Sequence, residues 1–240
     1  MTRGIIFDIN GTLIDILTDE YHDTVYRITA AFLSYSGIFI EPEQLRERYF
    51  YLNREQRRRN PEEFPEFDVV RIFHDIIMDN APLDEVTAGQ YAVNAAQLFR
   101  AASLQKLQLY PGVREVMEHL KLHYRIAAVS DGQSAWALPE LRRCQLEKYF
   151  SGVIVSGDLG FRKPDKRIFE QALDTLKLSA DEVIFVGNDM YRDIYGAHNA
   201  GMRTVFFKSN QGDWEFRRVE PDYIIYDFRE LSNALAFLHH

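Results

Sequence analysis

A single cysteine, Cys144, stands in a chain of 240 residues, so no internal disulfide can form and a reducing compartment is expected. Basic residues are in the minority. Against 36 Asp and Glu there are 28 Lys and Arg, a net charge of −8, which gives no footing for general binding to nucleic acid or to an anionic membrane. No apolar run approaches the ~18 residues of a membrane span. The opening MTRGIIFDINGTL passes straight into a strand pattern, and no signal peptide is expected. Zinc spacings, a serine-hydrolase elbow and a dinucleotide glycine fingerprint are missing. What is present is ordinary for a globular protein: 46% hydrophobic and 27% charged residues. A soluble, cytoplasmic protein is the expectation.

Short apolar runs recur at 5–7, 126–129, 153–155, 183–186, 204–207 and 223–226, rich in β-branched and aromatic residues and not alternating. Such runs suit strands buried on both faces. Between them lie helical patterns at 113–122 and 166–176, with shorter ones at 190–200 and 228–238. Alternating strands and helices predict an α/β fold: a doubly wound, mostly parallel, Rossmann-like sheet with helices on both faces. Residues 16–108 break the alternation, with apolar stripes at Val25, Ile28 and Phe32, at Leu45, Tyr49 and Leu52, and at Val69, Phe73, Ile76 and Ile77. This stretch is expected to be an inserted all-α cap subdomain, with 1–15 and 109–240 forming the core domain. Pro42 suits a first helical turn. Pro61 and Pro65 mark a loop between helices.

In a doubly wound sheet, ligands bind beyond the carboxyl ends of the strands. Those ends carry Asp8-Ile9-Asn10-Gly11-Thr12, Ser130-Asp131-Gly132, Lys163-Pro164, and Gly187-Asn188-Asp189 with Asp193 beyond. Carboxylates, small hydroxyls and one lysine in a single crevice are what a phosphate and a divalent cation need together: hard oxygen ligands for Mg²⁺, and positive charge for phosphoryl oxygens.

FDxxGTLxD, SDG, RKPD and VGNDxxxDIxGAxxAG, in that order, resemble the four motifs of the haloacid dehalogenase superfamily, and the helical insert matches that family's cap. The resemblance implies a phosphatase in which Asp8 is the nucleophile, giving an aspartyl-phosphate. It implies that Thr12, Ser130, Asp131 and Lys163 bind the phosphate, and that Asp8, Asn10, Asp189 and Asp193 form a Mg²⁺ site. Asp189 is expected to bind the metal directly and Asp193 through a water or by orienting its neighbours; Asn188 can contribute a neutral amide oxygen. Arg162 reads as surface charge. The substrate implied is a small phosphorylated metabolite, for a monomer or homodimer.

One position departs sharply from the family. Asn10 stands where its phosphatases usually carry an aspartate that protonates the leaving group and later deprotonates water. An amide cannot exchange that proton, although its main-chain carbonyl can still face a metal. Three explanations stay open: a natural variant with another proton donor (Asp15 and His22 are nearby in sequence), an Asp→Asn substitution, or a chain that binds without turning over. A 2-haloacid dehalogenase is the alternative reading, because those relatives use the aspartate nucleophile without the second aspartate. A catalytically weak phosphate-binding protein is the other. Residues 46–59 hold six arginines against two glutamates and read as a solvated helix face whose aromatics enter the cap core. His239 and His240 are given no metal role.

Overall fold

A computed structural model describes residues 1–238; His239 and His240 lie outside the described residues. The elements in chain order are β1 (Gly4–Phe7), β2 (Ile14–Thr18), α1 (Asp23–Tyr35), α2 (Pro42–Arg59), α3 (Val69–Asn80), α4 (Glu85–Ser103), β3 (Leu104–Leu109), α5 (Val113–Leu120) and β4 (Arg125–Ser130), followed by α6 (Ser134–Arg143), β5 (Gly152–Val155), α7 (Lys166–Leu176), β6 (Val183–Gly187), α8 (Gly196–Asn199), β7 (Arg203–Phe207), β8 (Tyr223–Ile225) and α9 (Leu231–Leu238). Among the described residues no helix is long and apolar enough to cross a membrane.

Six strands form one sheet in the order β5-β4-β1-β6-β7-β8, parallel at every pairing. The strands read from apolar runs are all present, and the reason is visible in β1. Ile5 and Phe7 point into the layer built by α5 and α9, whereas Ile6 points into the opposite layer, built by α7 and α8. Both faces are covered, so every position must be apolar. The chain builds outward from β1 to one side through β4 and β5, then to the other through β6, β7 and β8. β1 is therefore the switch point, and its carboxyl end opens the crevice.

Helices α1 to α4 form the cap around a core of their own. Pro42 sits in the first turn of α2. Four buried alanines of α4, at 88, 92, 95 and 96, let it lie close between α1 and α3. The expected α1 stripe is turned: Val25 is buried, but Ile28 is 41% exposed and the buried face runs through Tyr26, Thr29, Ala30 and Leu33. Tyr26 fixes that rotation by packing edge-on against Tyr49 and Phe99. The arginines of α2 behave as a solvated face, pairing with Asp23, Asp79 and Glu55; of the aromatics expected in the cap core Tyr49 is buried, but Tyr51 is 45% exposed.

The root of the insert differs from the helical expectation for 16–108. Its two chain crossings, β2 and β3, pair as an antiparallel ribbon. The ribbon is only half-buried, so short, polar-interrupted strands suffice.

The cap is also fastened away from that root. Trp136 of α6 belongs to the cap core and its indole N–H donates to Ala96 O at 2.9 Å. Arg100 of α4 pairs with Glu140 of α6 at 2.7 Å. The loop between α2 and α3 lies along the core: Arg162 N donates to Phe64 O, and Glu66 N to Gly160 O. Gln133 bridges both sides, accepting from Val69 N at 2.9 Å and donating to Phe67 O at 2.7 Å. Gln133→Ala would leave both backbone groups short of a partner, so we expect a loss of about 1–3 kcal/mol. Hydrogen exchange at the Val69 amide should rise well beyond that of β1; unchanged protection there would show the strap is held by other contacts.

Candidate active site

Asp8 follows β1 and is 5% exposed. Its main chain still belongs to the sheet, since Asp8 N donates to Val186 O at 2.9 Å. The chain then turns tightly, with Leu13 N donating to Ile9 O and Gly11 N to Ile14 O. Gly11 adopts φ +90°, and a Cβ there would lie 2.3 Å from the Asn188 side chain. Gly212, at φ +81°, closes on the same residue from another side, where a Cβ would lie 2.4 Å from Asn188 O. Two glycines thus clamp Asn188, where any side chain would force the turns apart.

Lys163 is 3% exposed and lies between two carboxylates. Its Nζ donates to Asp8 Oδ1 at 2.6 Å and to Asp193 Oδ1 at 2.6 Å. Burial alone would lower its pKa, but Asp193, Asp8 and Asp131 raise it above the ordinary lysine range, so the ammonium stays charged. Asp193 is fixed by a second pair of contacts, its Oδ2 accepting from Asn188 N and Asp189 N at 3.0 Å each. Burial pushes Asp193 up to about 6 against the pull of Lys163.

Thr12 Oγ1 lies 2.8 Å from Asp8 Oδ2 and 3.0 Å from Asn188 Oδ1. A hydroxyl has one proton, so only one of these oxygens receives it at a time. The Ser130 hydroxyl is buried with no hydrogen-bond partner, as is Asn10 Oδ1. Asp131 accepts from Lys163 N at 3.0 Å through Oδ1, while its Oδ2 has no hydrogen-bond partner and faces Arg192 Nη1 at 3.7 Å; burial raises its pKa. Asp131 thus anchors the backbone of the lysine loop.

Asp189 is the main correction. Expected to face a cation, it instead caps the turn that begins at Met190. Its Oδ1 accepts from Tyr191 N and Arg192 N, and its Oδ2 from the Arg192 guanidinium and Asp213 N. Burial opposes ionisation, but Arg192 and these donors hold the carboxyl below its ordinary range. Both oxygens are taken up. The reason is local: adjacent residues leave a strand end on opposite sides, so Asn188 rather than Asp189 turns toward Thr12.

The substitute proton donors both carry structural roles. His22 is the N-cap of α1, Nδ1 accepting from Thr24 N at 3.2 Å. Asp15 pairs with Lys106 and bonds Gln211 Nε2 at 3.1 Å; despite partial burial, Lys106 and Gln108 hold it below the ordinary carboxylate range, the wrong direction for an acid.

Two residues escaped the sequence reading. Glu66, from the cap loop, is buried against the core, accepting from Ser156 Oγ at 2.9 Å and pairing with Arg57 at 3.2 Å; burial raises its pKa. Arg192 locks Asp189. Glu66 lies outside every motif, and Arg192 falls at one of the unspecified positions of VGNDxxxDIxGAxxAG, so neither was singled out.

A buried aspartate at a central strand end, neutralised by a lysine from the opposite side of the crevice and covered by a helical cap, defines a capped α/β hydrolase. A family model for haloacid dehalogenase-like hydrolases matches residues 2–201, and the chain belongs to that family. It is 39% identical over 103 residues to the glyceraldehyde 3-phosphate phosphatase of Pyrococcus abyssi, covering 42% of this chain and 43% of the relative. It is 34% identical over 133 residues to that of Pyrococcus furiosus, 54% of this chain and 55% of the relative. The chain thus spans about half the length of these two relatives. With the phosphoglycolate phosphatase of Agrobacterium fabrum it shares 25% identity over 240 residues, 96% of this chain and 91% of the relative. The 2-haloacid dehalogenase structure from Pseudomonas syringae shares the fold, with a TM-score of 0.71 and 24% identity over 99% of each chain. So does a phosphatase of the family from Thermococcus onnurineus, at TM-score 0.61 and 22% identity over 98% of each.

Proposed function

We propose that the chain hydrolyses small phosphate monoesters through an aspartyl-phosphate on Asp8. The observation that carries this reading is the buried Asp8–Lys163–Asp193 trio beside the unpartnered Ser130 hydroxyl. Asp8 Oδ would attack phosphorus, forming a P–O bond to the carboxyl as the bond to the leaving alcohol breaks. Lys163 and Ser130 would hold phosphoryl oxygens as charge develops. Water then attacks phosphorus, releasing phosphate and restoring the carboxylate. The alcohol needs a proton that the Asn10 amide cannot give, so slow turnover of poor leaving groups belongs to this reading.

The residues fit a hard cation in kind. No group of three or more His, Cys, Asp or Glu side chains among the described residues could hold a metal ion. Two oxygens nevertheless share one Thr12 proton, which leaves one of them short of a positive partner. Asp8, the Asn10 main-chain carbonyl and the Asn188 amide oxygen would hold Mg²⁺, which supplies charge neutralisation at the phosphoryl group. Asp193 acts behind them by positioning Lys163. A cation bound only by the native state raises the melting temperature. We expect Mg²⁺ to do so here, and Asn188→Ala to abolish the shift while Asp189→Ala retains it. The opposite pattern would return the metal to Asp189.

The deciding experiment assays a panel of phosphate monoesters with and without Mg²⁺, alongside 2-haloacids. Phosphate release is expected. Asn10 favours the second reading, dehalogenation, and metal-independent halide release without phosphate release would establish it instead. Stabilisation by phosphate with no turnover would leave a binding protein.

A further inference from the structure

Beside Lys163 lies an open cleft of about 440 Å³, walled by Arg162, Lys163, Tyr191 and Arg192 of the core and by Phe64 of the cap loop. The wall is built, because Arg162 N donates to Phe64 O at 3.0 Å and Pro65 bridges to Phe161. That strap sets the Arg162 side chain on the boundary between cap and core. The charged neighbours differ in one respect. Lys163 is held by Asp8 and Asp193, Arg167 by Asp165 and Glu62, and Arg192 by Asp189. Arg162, half-buried, has no carboxylate partner among the described residues, although it lines the cleft. A half-buried guanidinium without a counter-ion keeps its planar donors free to bind an anion.

We propose that this cleft receives a carboxylate carried on the leaving group of the substrate, and that Arg162 selects for it; this rests on the reading of the chain as a phosphatase. The wall decides between anions. Asp189 and the exposed Asp213 also line it, so a singly charged carboxylate is tolerated better than a second, doubly charged phosphate. The planar guanidinium matches a carboxylate in a two-bond fork. The rings of Phe64 and Tyr191 bound the space for the short carbon stem between the two charged ends. Arg162 is therefore a specificity residue rather than surface charge.

The test compares 3-phosphoglycerate with glycerol 3-phosphate, which has a hydroxymethyl group where the former has its carboxylate. Binding is measured by titration calorimetry, and kcat/KM by phosphate release, on the unaltered chain and on Arg162→Ala, Arg162→Lys and Asp213→Asn. A charge-assisted hydrogen bond corresponds to a preference on the order of tenfold to a hundredfold. We expect the unaltered chain to bind 3-phosphoglycerate more tightly by that order. Arg162→Ala should remove the preference, Arg162→Lys should keep part of it, and Asp213→Asn should enlarge it by relieving repulsion. Equal binding of both esters, failure of both to bind, or a preference that survives Arg162→Ala would overturn the assignment. If an Arg162-dependent preference appears in calorimetry while no ester releases phosphate, the subsite stands and the phosphatase reading fails. If phosphate is released without preference, the subsite fails and that reading stands.

Discussion

Lys163→Met is expected to cost both stability and activity, whereas Asp8→Asn should cost activity alone. Lys163 is the cation that Asp8 and Asp193 share, with Asp131 close by. Methionine leaves those buried carboxylates facing one another, and stripping one partner from a buried ion pair costs about 3–5 kcal/mol. Turnover should fall on the order of 10²–10³-fold through lost stabilisation of the transferring phosphoryl group. Asp8→Asn keeps the size of the side chain and leaves Lys163 paired one to one with Asp193, so stability should stay within about 1 kcal/mol. Its turnover should fall by about 10⁴-fold or more, because a neutral amide replaces the carboxylate nucleophile.

The pH dependence separates the two variants. A carboxyl whose folded pKa is raised binds its proton more tightly when folded. Its contribution is therefore largest in acid and is lost as pH rises through the folded value. In the unaltered chain that window for Asp193 runs from its ordinary value of 3.8 to about 6. Without Lys163 the window must extend upward, so urea melts of Lys163→Met should show stability still falling above pH 6. A flat profile across pH 5–8 would show that Lys163 is not what holds these carboxylates ionised.

The second expectation is a gain of function. Asn10→Asp should raise turnover by about 10²–10⁴-fold, the usual worth of general acid–base catalysis. Protonation matters most for poor leaving groups, so alkyl phosphates should gain more than aryl phosphates. The adjacent Gly11 makes deamidation of Asn10 easy, so the comparison needs fresh protein whose mass confirms the amide. Asp15 is tied to Lys106, which removes it as a substitute acid, whereas His22 spends only Nδ1 on its helix cap and stays a candidate. Equal hydrolysis of alkyl phosphates by both chains would mean the proton comes from elsewhere, and the raised pKa of buried Glu66 would make it the next residue to replace.

The sheet was legible because its signal is strong. Strands covered on both faces must be apolar throughout, and the strand ends then bring Asp8, Ser130, Lys163 and Asp193 to one crevice. The β2–β3 ribbon was hidden because LQKLQL is neither continuously apolar nor cleanly alternating. Helix α6 was hidden by Pro139 inside it and by a buried face that includes Glu140. The roles of Asn188 and Asp189 could not be separated by pattern, since two neighbouring oxygen donors differ only in the direction each leaves the strand. That direction is set by Gly11 and Gly212, far apart in sequence, and by Arg192.

Trp136 bears on how freely this cap could be exchanged among relatives. Its indole belongs to the cap core although its helix, α6, lies more than thirty residues beyond the end of α4. A graft carrying only α1 to α4 onto another catalytic core would arrive with a hole the size of an indole and an Ala96 carbonyl that has lost its second hydrogen bond. Modularity in this chain therefore does not follow the two crossings of the backbone. The unit that can be inherited or transplanted whole is the four helices together with α6, and recombination between β3 and α6 would separate parts that fold as one.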